Sequence, residues 1–290
     1  MNFVKRLYLK FSKKGLQNYV LNEIGKIGAL NLSPIITSNE VHFKHSGLIG
    51  DLIYSVPAMV ALAKGKKIFL HLNTKQKANY DKSMRHYNSV TMLNEKAVHF
   101  MAPLLLAQPN IVCCDVYERQ AIDYDLDILR KLPFILNTHN IARLNLLTFG
   151  VTFNLATPWL FAKPNTTFAN EIVIARSFRY RTPGIDYTFL KKYNNLTFVG
   201  LADEYEDIKI AIPNIKFKPT TNALALASII MGCKLFIGNQ SFPFALAEAL
   251  KVPRVLEIYY KRPDVIVMGD NAYDFYLQQQ FEKIIKEILD

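Results

Sequence analysis

The stretch KLFIGNQSFPFALAEALKVPRVLEI, residues 234–258, indicates the fold of the chain. It contains a short apolar run, Lys234–Gly238, then a polar turn, a helical stretch, Pro243–Leu250, and a second apolar run, Arg254–Ile258. Short apolar runs between turn signals are typical of strands buried on both faces. Two such runs joined through a helix indicate a right-handed βαβ unit in a parallel sheet.

The same alternation extends outward from residue 40 to the end of the chain. Further predicted strands are Val41–Phe43, Lys67–Leu72, Asn110–Cys114, Glu171–Ala175 and Leu196–Gly200, and further predicted helices are Tyr54–Ala63, Asn222–Met231 and Phe275–Leu289. Prolines and polar residues interrupt the pattern from Thr157 to Asn165. We therefore expect an α/β protein with two Rossmann-like lobes, residues 40–160 and 161–290, whose parallel sheets face a cleft.

Residues 1–39 differ in composition from the rest. The first 26 residues hold six basic side chains and one acidic side chain, Glu23. Their apolar spacing on either side of Gly15 predicts two short amphipathic helices. Two interpretations are open: the segment packs on the protein with its lysines in water, or it makes a peripheral contact with an anionic membrane.

The 290 residues carry a formal net charge of +11. This charge favours anionic partners such as nucleotides, nucleic acids or acidic membrane surfaces. Nucleic acid is not expected, because the basic residues do not interleave with aromatic residues in a recognition module.

Cysteine usage and hydropathy bear on location. Cys113, Cys114 and Cys233 lack paired metal-binding spacing, and the absence of a disulfide framework is typical of a reducing compartment. No uncharged run reaches the roughly 18–20 residues that a transmembrane helix needs. Charged residues interrupt the N-terminal stretch where a signal peptide has its apolar core. The predicted location is the cytoplasm, with peripheral contact to the inner membrane as an open possibility.

Three loops follow predicted strands, where open α/β sheets bind ligands. The first loop includes Ser46, Gly47, Gly50 and Asp51. Its glycines permit a tight turn with close backbone approach to a ligand. Pro57 suits the first turn of a helix starting near Ser55, which places Asp51 just before that helix. We call this loop the acceptor-side loop, because a hydroxyl group that accepts a transferred group could bind beside it. Asp51 either acts as a general base on an acceptor hydroxyl or caps the helix.

The second loop follows the strand Glu171–Ala175. It contains Arg176, Ser177, Arg179 and Arg181. Guanidinium groups match phosphate oxygens, so this loop is either a diphosphate-binding loop or a solvated basic turn.

The third loop follows the strand Lys234–Gly238. It contains Gly238, Asn239, Gln240 and Ser241. Ser241 can serve as an N-cap, and the free backbone N–H groups of a helix start attract phosphate. A plain βα turn needs many of the same residues. Glu257, at the end of the next strand, either accepts a hydrogen bond from a ribose hydroxyl or forms a salt bridge.

Two further groups of residues have weaker signals. A strand would place Asp123, Asp125 and Asp127 on one face, as an acidic edge or a cation site. The histidines do not have zinc-ligand spacing, so no metal is expected. His45 adjoins the first loop and is close enough in sequence to touch substrate.

The stretch from Gly50 to Ala58 resembles the first-loop motif of the ADP-heptose:lipopolysaccharide heptosyltransferases, glycosyltransferase family 9. The stretch from Leu235 to Pro253 resembles the donor-site motif of that family. The resemblance implies the GT-B fold, with a catalytic base at Asp51. It also implies metal-independent, inverting transfer of a hexosyl or heptosyl group from a nucleotide sugar to a glycan or lipid-linked glycan. The nucleotide sugar would be a co-substrate, and no cofactor is expected.

The donor motif of this chain departs from the family pattern. That pattern has Asp-Thr/Ser-Gly and then a histidine, whereas this chain has Gln240-Ser241-Phe242 and Ala245. Backbone contacts to phosphate survive these changes, but the side-chain contacts do not. Two alternative functions therefore stay open: a GT-B sugar-nucleotide epimerase, and a non-catalytic relative that binds nucleotide or membrane.

Overall fold

The computed structural model describes residues 12–28, 32, 34–78, 90–132 and 138–290. Within the N-terminal segment it shows one helix, α1, at Lys13–Gly28. The first predicted amphipathic helix lies outside the described residues.

The first lobe contains a four-stranded parallel sheet. Its strands are β1 at Glu40–His45, β2 at Lys67–Leu72, β3 at Ile111–Val116 and β4 at Tyr124–Asp125. They lie in the order β3-β2-β1-β4, with β1 and β2 in register from Glu40 opposite Lys67 to His45 opposite Leu72. The helices of this lobe are α2 at Ile49–Ala63, α3 at Glu95–Leu106 and α4 at Ile141–Phe149.

The second lobe contains a six-stranded parallel sheet. Its strands are β5 at Ile172–Ala175, β6 at Leu196–Phe198, β7 at Lys216–Phe217, β8 at Leu235–Asn239, β9 at Arg254–Glu257 and β10 at Ala272–Phe275. The order is β10-β9-β8-β5-β6-β7. The helices are α5 at Ala202–Ala211, α6 at Ala223–Gly232, α7 at Phe242–Leu250 and α8 at Gln278–Leu289. The predicted α/β class with two parallel sheets is confirmed.

The strand order reverses at one point in each sheet. In the first lobe β1 lies between β2 and β4, and in the second lobe β5 lies between β6 and β8. A reversal of this kind opens a crevice at the carboxyl ends of the central strands, where α/β proteins bind ligands. Ligand-binding residues are therefore expected in the loops after β1, β4, β5 and β8.

The hydrophobic core runs continuously from one lobe to the other. A single cluster of buried side chains includes Phe43 and Leu52 of the first lobe, Trp159 of the connecting segment, and Phe236 and Phe244 of the second lobe. Helix α2 packs against α7 across the lobes. A second cluster lies on the other side of the six-stranded sheet, beneath α5 and α8. Because the first core is shared, the domain boundary near Thr157–Asn165 remains a prediction.

The start of α2 differs from the sequence prediction. The helix begins at Ile49, so Asp51 lies in its first turn and Pro57 lies in its interior. A proline has no N–H to donate to the carbonyl four residues earlier, which is that of Ile53. The Trp159 indole Nε1 donates to that carbonyl at 3.1 Å, so the buried oxygen is not left without a donor.

The predicted acidic strand face is also wrong. Strand β4 ends at Asp125 and a 3₁₀-helix, Leu126–Lys131, follows at once. Asp123 Oδ2 accepts a hydrogen bond from the His42 backbone N–H at 2.7 Å, and Asp125 pairs with the Lys44 ammonium at 2.9 Å. The acidic residues thus connect β4 to its neighbour β1 rather than forming one surface.

No helix in the described part of the chain combines the length and apolarity needed to cross a membrane.

Candidate active site

The loops after β1 and β8 meet in the crevice between the lobes. A Cβ placed on Gly50 would lie 3.9 Å from the Cα of Phe242, so the first turns of α2 and α7 are neighbours. The ring of Phe242 also packs edge-on against Phe100 of α3, with 6.0 Å between ring centroids. The predicted acceptor-side loop and the predicted diphosphate loop therefore face each other.

Asp51 lies in this crevice and is held by Arg130. Arg130 donates to Asp51 Oδ2 at 3.1 Å, and the Asp51 side chain keeps 31% of its surface exposed. Oδ1 of Asp51 accepts no hydrogen bond from any residue in the described ranges. The N-cap position of α2 belongs to Leu48, so Asp51 does not cap the helix. The carboxylate is thus fixed through one oxygen and accessible through the other.

A network of polar side chains supports Arg130. Its Nη1 donates to Asp127 Oδ1 at 2.7 Å, and the Ser46 backbone N–H donates to the same oxygen at 3.0 Å. The Ser46 hydroxyl donates to the other Asp127 oxygen and accepts from Asn73 Nδ2 at 3.0 Å. Ser46, predicted as an acceptor-side residue, therefore belongs to the support of the Asp51 site.

Gly47 is required by the position of Arg130. A Cβ at Gly47 would lie 2.1 Å from Arg130 Nη2 and 2.8 Å from the His45 ring, so no larger residue fits without displacing them. The Gly47 backbone N–H donates to His45 Nδ1 at 3.1 Å. Burial, and secondarily the Arg130 cation, lowers the pKa of His45 to about 3. His45 is therefore a neutral hydrogen-bond acceptor that shapes the loop.

Arg176 and Glu257 form a buried ion pair. Arg176 Nε lies 2.8 Å from Glu257 Oε2 and Nη2 lies 3.1 Å from Oε1, and the Glu257 side chain is 0% exposed. The same carboxylate accepts from the Thr182 N–H at 2.7 Å and the Tyr187 hydroxyl at 3.0 Å. These four hydrogen bonds occupy both carboxylate oxygens. Arg176, which the sequence predicts to bind phosphate, and Glu257, which it predicts to bind ribose, therefore bind each other.

Asn239 joins the loop after β5 to the end of β8. Its Oδ1 accepts from the Ser177 N–H at 2.9 Å, and its Nδ2 donates to the carbonyls of Ser177 and Arg179 at 3.0 and 2.6 Å. A Cβ at Gly238 would lie 2.6 Å from the Ala175 carbonyl oxygen, so the close pairing of β5 and β8 requires glycine there. Ser177, Gly238 and Asn239 therefore build the predicted diphosphate loop.

The first turn of α7 is not capped by a side chain. Ser241 occupies the N-cap position, yet its hydroxyl donates to the Asn239 carbonyl at 3.0 Å and caps no helix N–H. Leu48, the N-cap of α2, has no polar side chain to offer. Two adjacent helix starts thus lack a side-chain acceptor for their N–H groups, and their dipoles favour an anion in the crevice.

Several residues of the crevice carried no recognisable signal in the sequence. Arg262, in the loop after β9, lies over the Tyr180 ring at 5.9 Å from its centroid, and Arg179 lies over the same ring at 5.3 Å. Burial, and secondarily the Asp51 carboxylate, raises the pKa of Asp264 in that loop to about 7. The contacts of Arg262 with Tyr180 and of Asp264 with Asp51 join segments far apart in sequence, so no local sequence pattern predicts them.

The side chains that the structure describes include no group of three or more His, Cys, Asp or Glu that could hold a metal ion.

Structural comparison relates the chain to two heptosyltransferases of E. coli. The structure of heptosyltransferase WaaC with ADP-2-deoxy-2-fluoro heptose has a TM-score of 0.51 and 12% identity, and the match covers 86% of this chain and 99% of that one. The ADP-heptose lps heptosyltransferase II has a TM-score of 0.51 and 12% identity over 86% and 98% of the two chains. The sequence itself matches no protein-family model and no curated protein. The chain therefore has the fold of these enzymes, and the expected GT-B arrangement of two Rossmann-like lobes is confirmed.

Proposed function

We propose that the protein is a glycosyltransferase that moves a sugar from a nucleotide sugar to a hydroxyl group of a glycan or lipid-linked glycan. The observation that carries this proposal is the position of Asp51. Its partly exposed carboxylate lies in the first turn of α2, which neighbours the uncapped start of α7 at the strand-order reversals of both sheets. This arrangement supports Asp51 as a base opposite a site suited to a leaving diphosphate.

The reaction would be a single displacement. Asp51 Oδ1 removes the proton of the acceptor hydroxyl while that oxygen forms a bond to the anomeric carbon of the donor sugar. The bond from that carbon to the diphosphate oxygen breaks, and the nucleoside diphosphate departs with the electron pair. Attack on the face opposite the leaving group inverts the anomeric carbon, as in single-displacement glycoside chemistry.

Developing negative charge on the diphosphate would be stabilised by the second lobe. The N–H groups at the start of α7, with Arg179 and Arg262 around Tyr180, form the cationic side of the crevice. One preorganised donor of this kind is worth roughly 2.7–4 kcal/mol in a transition state. Glu257 is assigned to the structure of the loop and not to the ligand, because four hydrogen bonds occupy both of its carboxylate oxygens. Arg176 is assigned there as well, because its Nε and Nη2 bind Glu257 and the Ile185 carbonyl.

The class of donor is inferred by analogy. The two structurally similar enzymes are described with ADP-heptose or its 2-fluoro analogue. A nucleoside diphosphate sugar is therefore the donor class we propose here. The metal-independent route follows from the sequence resemblance and from the supply of cationic and N–H groups in the crevice.

A binding screen tests the proposal. The purified protein is heated with ADP, UDP and GDP and with a nucleotide sugar of each, once in EDTA and once in magnesium. A ligand at 100 times its Kd stabilises the folded state by about 2.7 kcal/mol, which a thermal-shift assay detects. We expect a shift with one nucleotide family that is equal in EDTA and magnesium. No shift with any of these ligands contradicts the proposal, and a shift in magnesium alone contradicts the metal-independent route.

A further inference from the structure

Asp264 is anchored in the crevice from both lobes. Its backbone carbonyl accepts from the N–H of Ile141, the first residue of α4, at 3.0 Å. Its side-chain Oδ1 accepts from Gln240 Nε2, in the loop after β8, at 2.8 Å. One residue is therefore fixed by the first lobe through its backbone and by the second lobe through its carboxyl group.

Gln240 is itself held in one orientation. It is 3% exposed, its Nε2 also donates to the Arg262 carbonyl at 2.7 Å, and its Oε1 accepts from the Tyr259 N–H at 2.7 Å. These contacts use both sides of the amide, so a flipped amide would face the wrong partners. The side chain of Gln240 thus positions the loop after β9 and directs Asp264.

The carboxyl group of Asp264 has hydrogen-bonding capacity left for a ligand. Apart from Gln240, the donor to it within the described ranges is the backbone N–H of Asp264 itself, whereas two carboxyl oxygens can accept about four hydrogen bonds. The charged and titratable groups near this carboxyl are Asp51 and Tyr54 of α2, Arg262 of its own loop, and Tyr180 of the loop after β5. Burial raises the pKa of the carboxyl to about 7, so it holds a proton part of the time at neutral pH and can then donate as well as accept.

The position of this carboxyl group decides what it can bind. The diphosphate is disfavoured as a direct partner, because the ionised form of this carboxyl group and a phosphate repel each other. In the proposed function the sugar ring of the donor lies between the diphosphate loop and Asp51. Asp264 is close enough to Asp51 for the two carboxyl groups to interact, and it is hydrogen-bonded to Gln240, the neighbour of Ser241 in the loop after β8. Sugar hydroxyls are neutral groups that donate and accept hydrogen bonds.

We propose that Asp264 is a substrate-binding residue whose Oδ2 hydrogen-bonds a hydroxyl group of the transferred sugar, with Gln240 as its positioning residue. This inference rests on the proposed glycosyltransferase function. It assigns the recognition of the sugar to the loop after β9, whereas the nucleoside diphosphate is bound by the loops after β5 and β8.

The experiment compares ligands that differ only by the sugar. Calorimetry measures the Kd of ADP against ADP-glucose, UDP against UDP-glucose and GDP against GDP-mannose, and the pair that binds the wild type is used with each variant. For Asp264→Ala we expect about tenfold weaker binding of the nucleotide sugar and an unchanged Kd for the nucleoside diphosphate. Asp264→Asn should bind both ligands within about twofold of wild type, because the amide accepts from Gln240 and donates to a hydroxyl.

The outcomes separate this inference from the function on which it rests. If no pair binds the wild type, the proposed function fails and the inference fails with it. If the wild type binds but Asp264→Ala weakens both ligands equally, or neither, the inference fails while the proposed function stands. Asp264→Ser, whose hydroxyl is too short to reach the same position, replaces the alanine variant if that variant does not fold.

Discussion

At the scale of single residues, the site depends on an arginine that comes from far along the chain. Arg130 lies 79 residues from Asp51 and reaches it through the space left by Gly47. A glycine is needed at position 47 because the Arg130 side chain passes beside it, and not because the backbone there has a positive φ. The arginine holds the Asp51 carboxylate in the direction of the crevice.

Gly47→Ala should disrupt this arrangement. The added methyl group would overlap Arg130 Nη2, so the ion pair to Asp51 would separate. Loss of a charge-assisted hydrogen bond predicts a fall in kcat on the order of 10- to 100-fold. Nucleoside diphosphate binding should not change. Gly25→Ala is the control, since a Cβ there meets no atom within 4 Å; equal activity in both variants would refute the role of Arg130.

A second prediction concerns pH. The pKa of Asp264 is raised from 3.8 to about 7 in the folded protein, so the unfolded chain loses this proton at lower pH. The contribution of this group to the free energy of unfolding is therefore fully present below pH 3.8. It is lost as the pH rises towards 7, because the unfolded chain then releases the proton that the folded protein still holds. Asp264→Asn should gain stability relative to wild type progressively over that range. Urea denaturation at pH 5 and pH 8 measures the difference, and a gain that is the same at both values contradicts it.

At the scale of secondary-structure elements, the interior proline of α2 is balanced by the segment between the sheets. Pro57 leaves the Ile53 carbonyl without its helical partner, and Trp159 supplies the missing donor. The connecting segment therefore fastens the helix that carries Asp51.

Trp159→Phe should destabilise the protein by about 1–3 kcal/mol, the cost of leaving a buried carbonyl without a donor. The same substitution in a Pro57→Ala background should cost less, because the alanine N–H can bond to Ile53. Urea denaturation of the four proteins in this double-mutant cycle measures the coupling. Equal costs in the two backgrounds would show that Trp159 acts through packing alone.

The buried pair between β5 and β9 gives a further prediction at this scale. Glu257→Ala leaves the Arg176 cation buried without its carboxylate, which predicts a loss of about 3–5 kcal/mol of stability. Nucleoside diphosphate affinity, measured below the unfolding temperature, should stay unchanged. If Glu257→Ala keeps its stability but loses affinity for the nucleoside diphosphate, Glu257 binds the ligand and does not serve the loop structure alone.

The sequence predicted the buried strands well because apolar runs of four to six residues have few other interpretations. It missed β7 and β10, which have two and four residues, and the helices α3, α4 and α5, of which α5 has the mostly polar sequence ADEYEDIKIA. It started α2 too late, because Gly50 and Pro57 both read as helix boundaries. The candidate site was only partly predictable, since the contacts of Arg130, Arg262 and Asp264 depend on tertiary packing.

At the scale of the whole molecule, two parallel sheets turn the carboxyl ends of their strands to one crevice. The starts of α2 and α7 lie side by side there, and the shared core holds the lobes against each other. The net charge of +11 favours an anionic ligand in this crevice. The proposed donor and acceptor would then meet at Asp51.

In the proposed mechanism Asp51 activates the acceptor hydroxyl. The most direct test measures nucleoside diphosphate release from the nucleotide sugar selected by the screen, with a glycan or water as acceptor. Asp51→Asn should lower this rate by about 10²- to 10⁴-fold while nucleoside diphosphate affinity is retained. The exposed Glu206→Gln removes the same charge elsewhere and should keep full activity. Equal rates for Asp51→Asn and wild type would contradict the proposed mechanism.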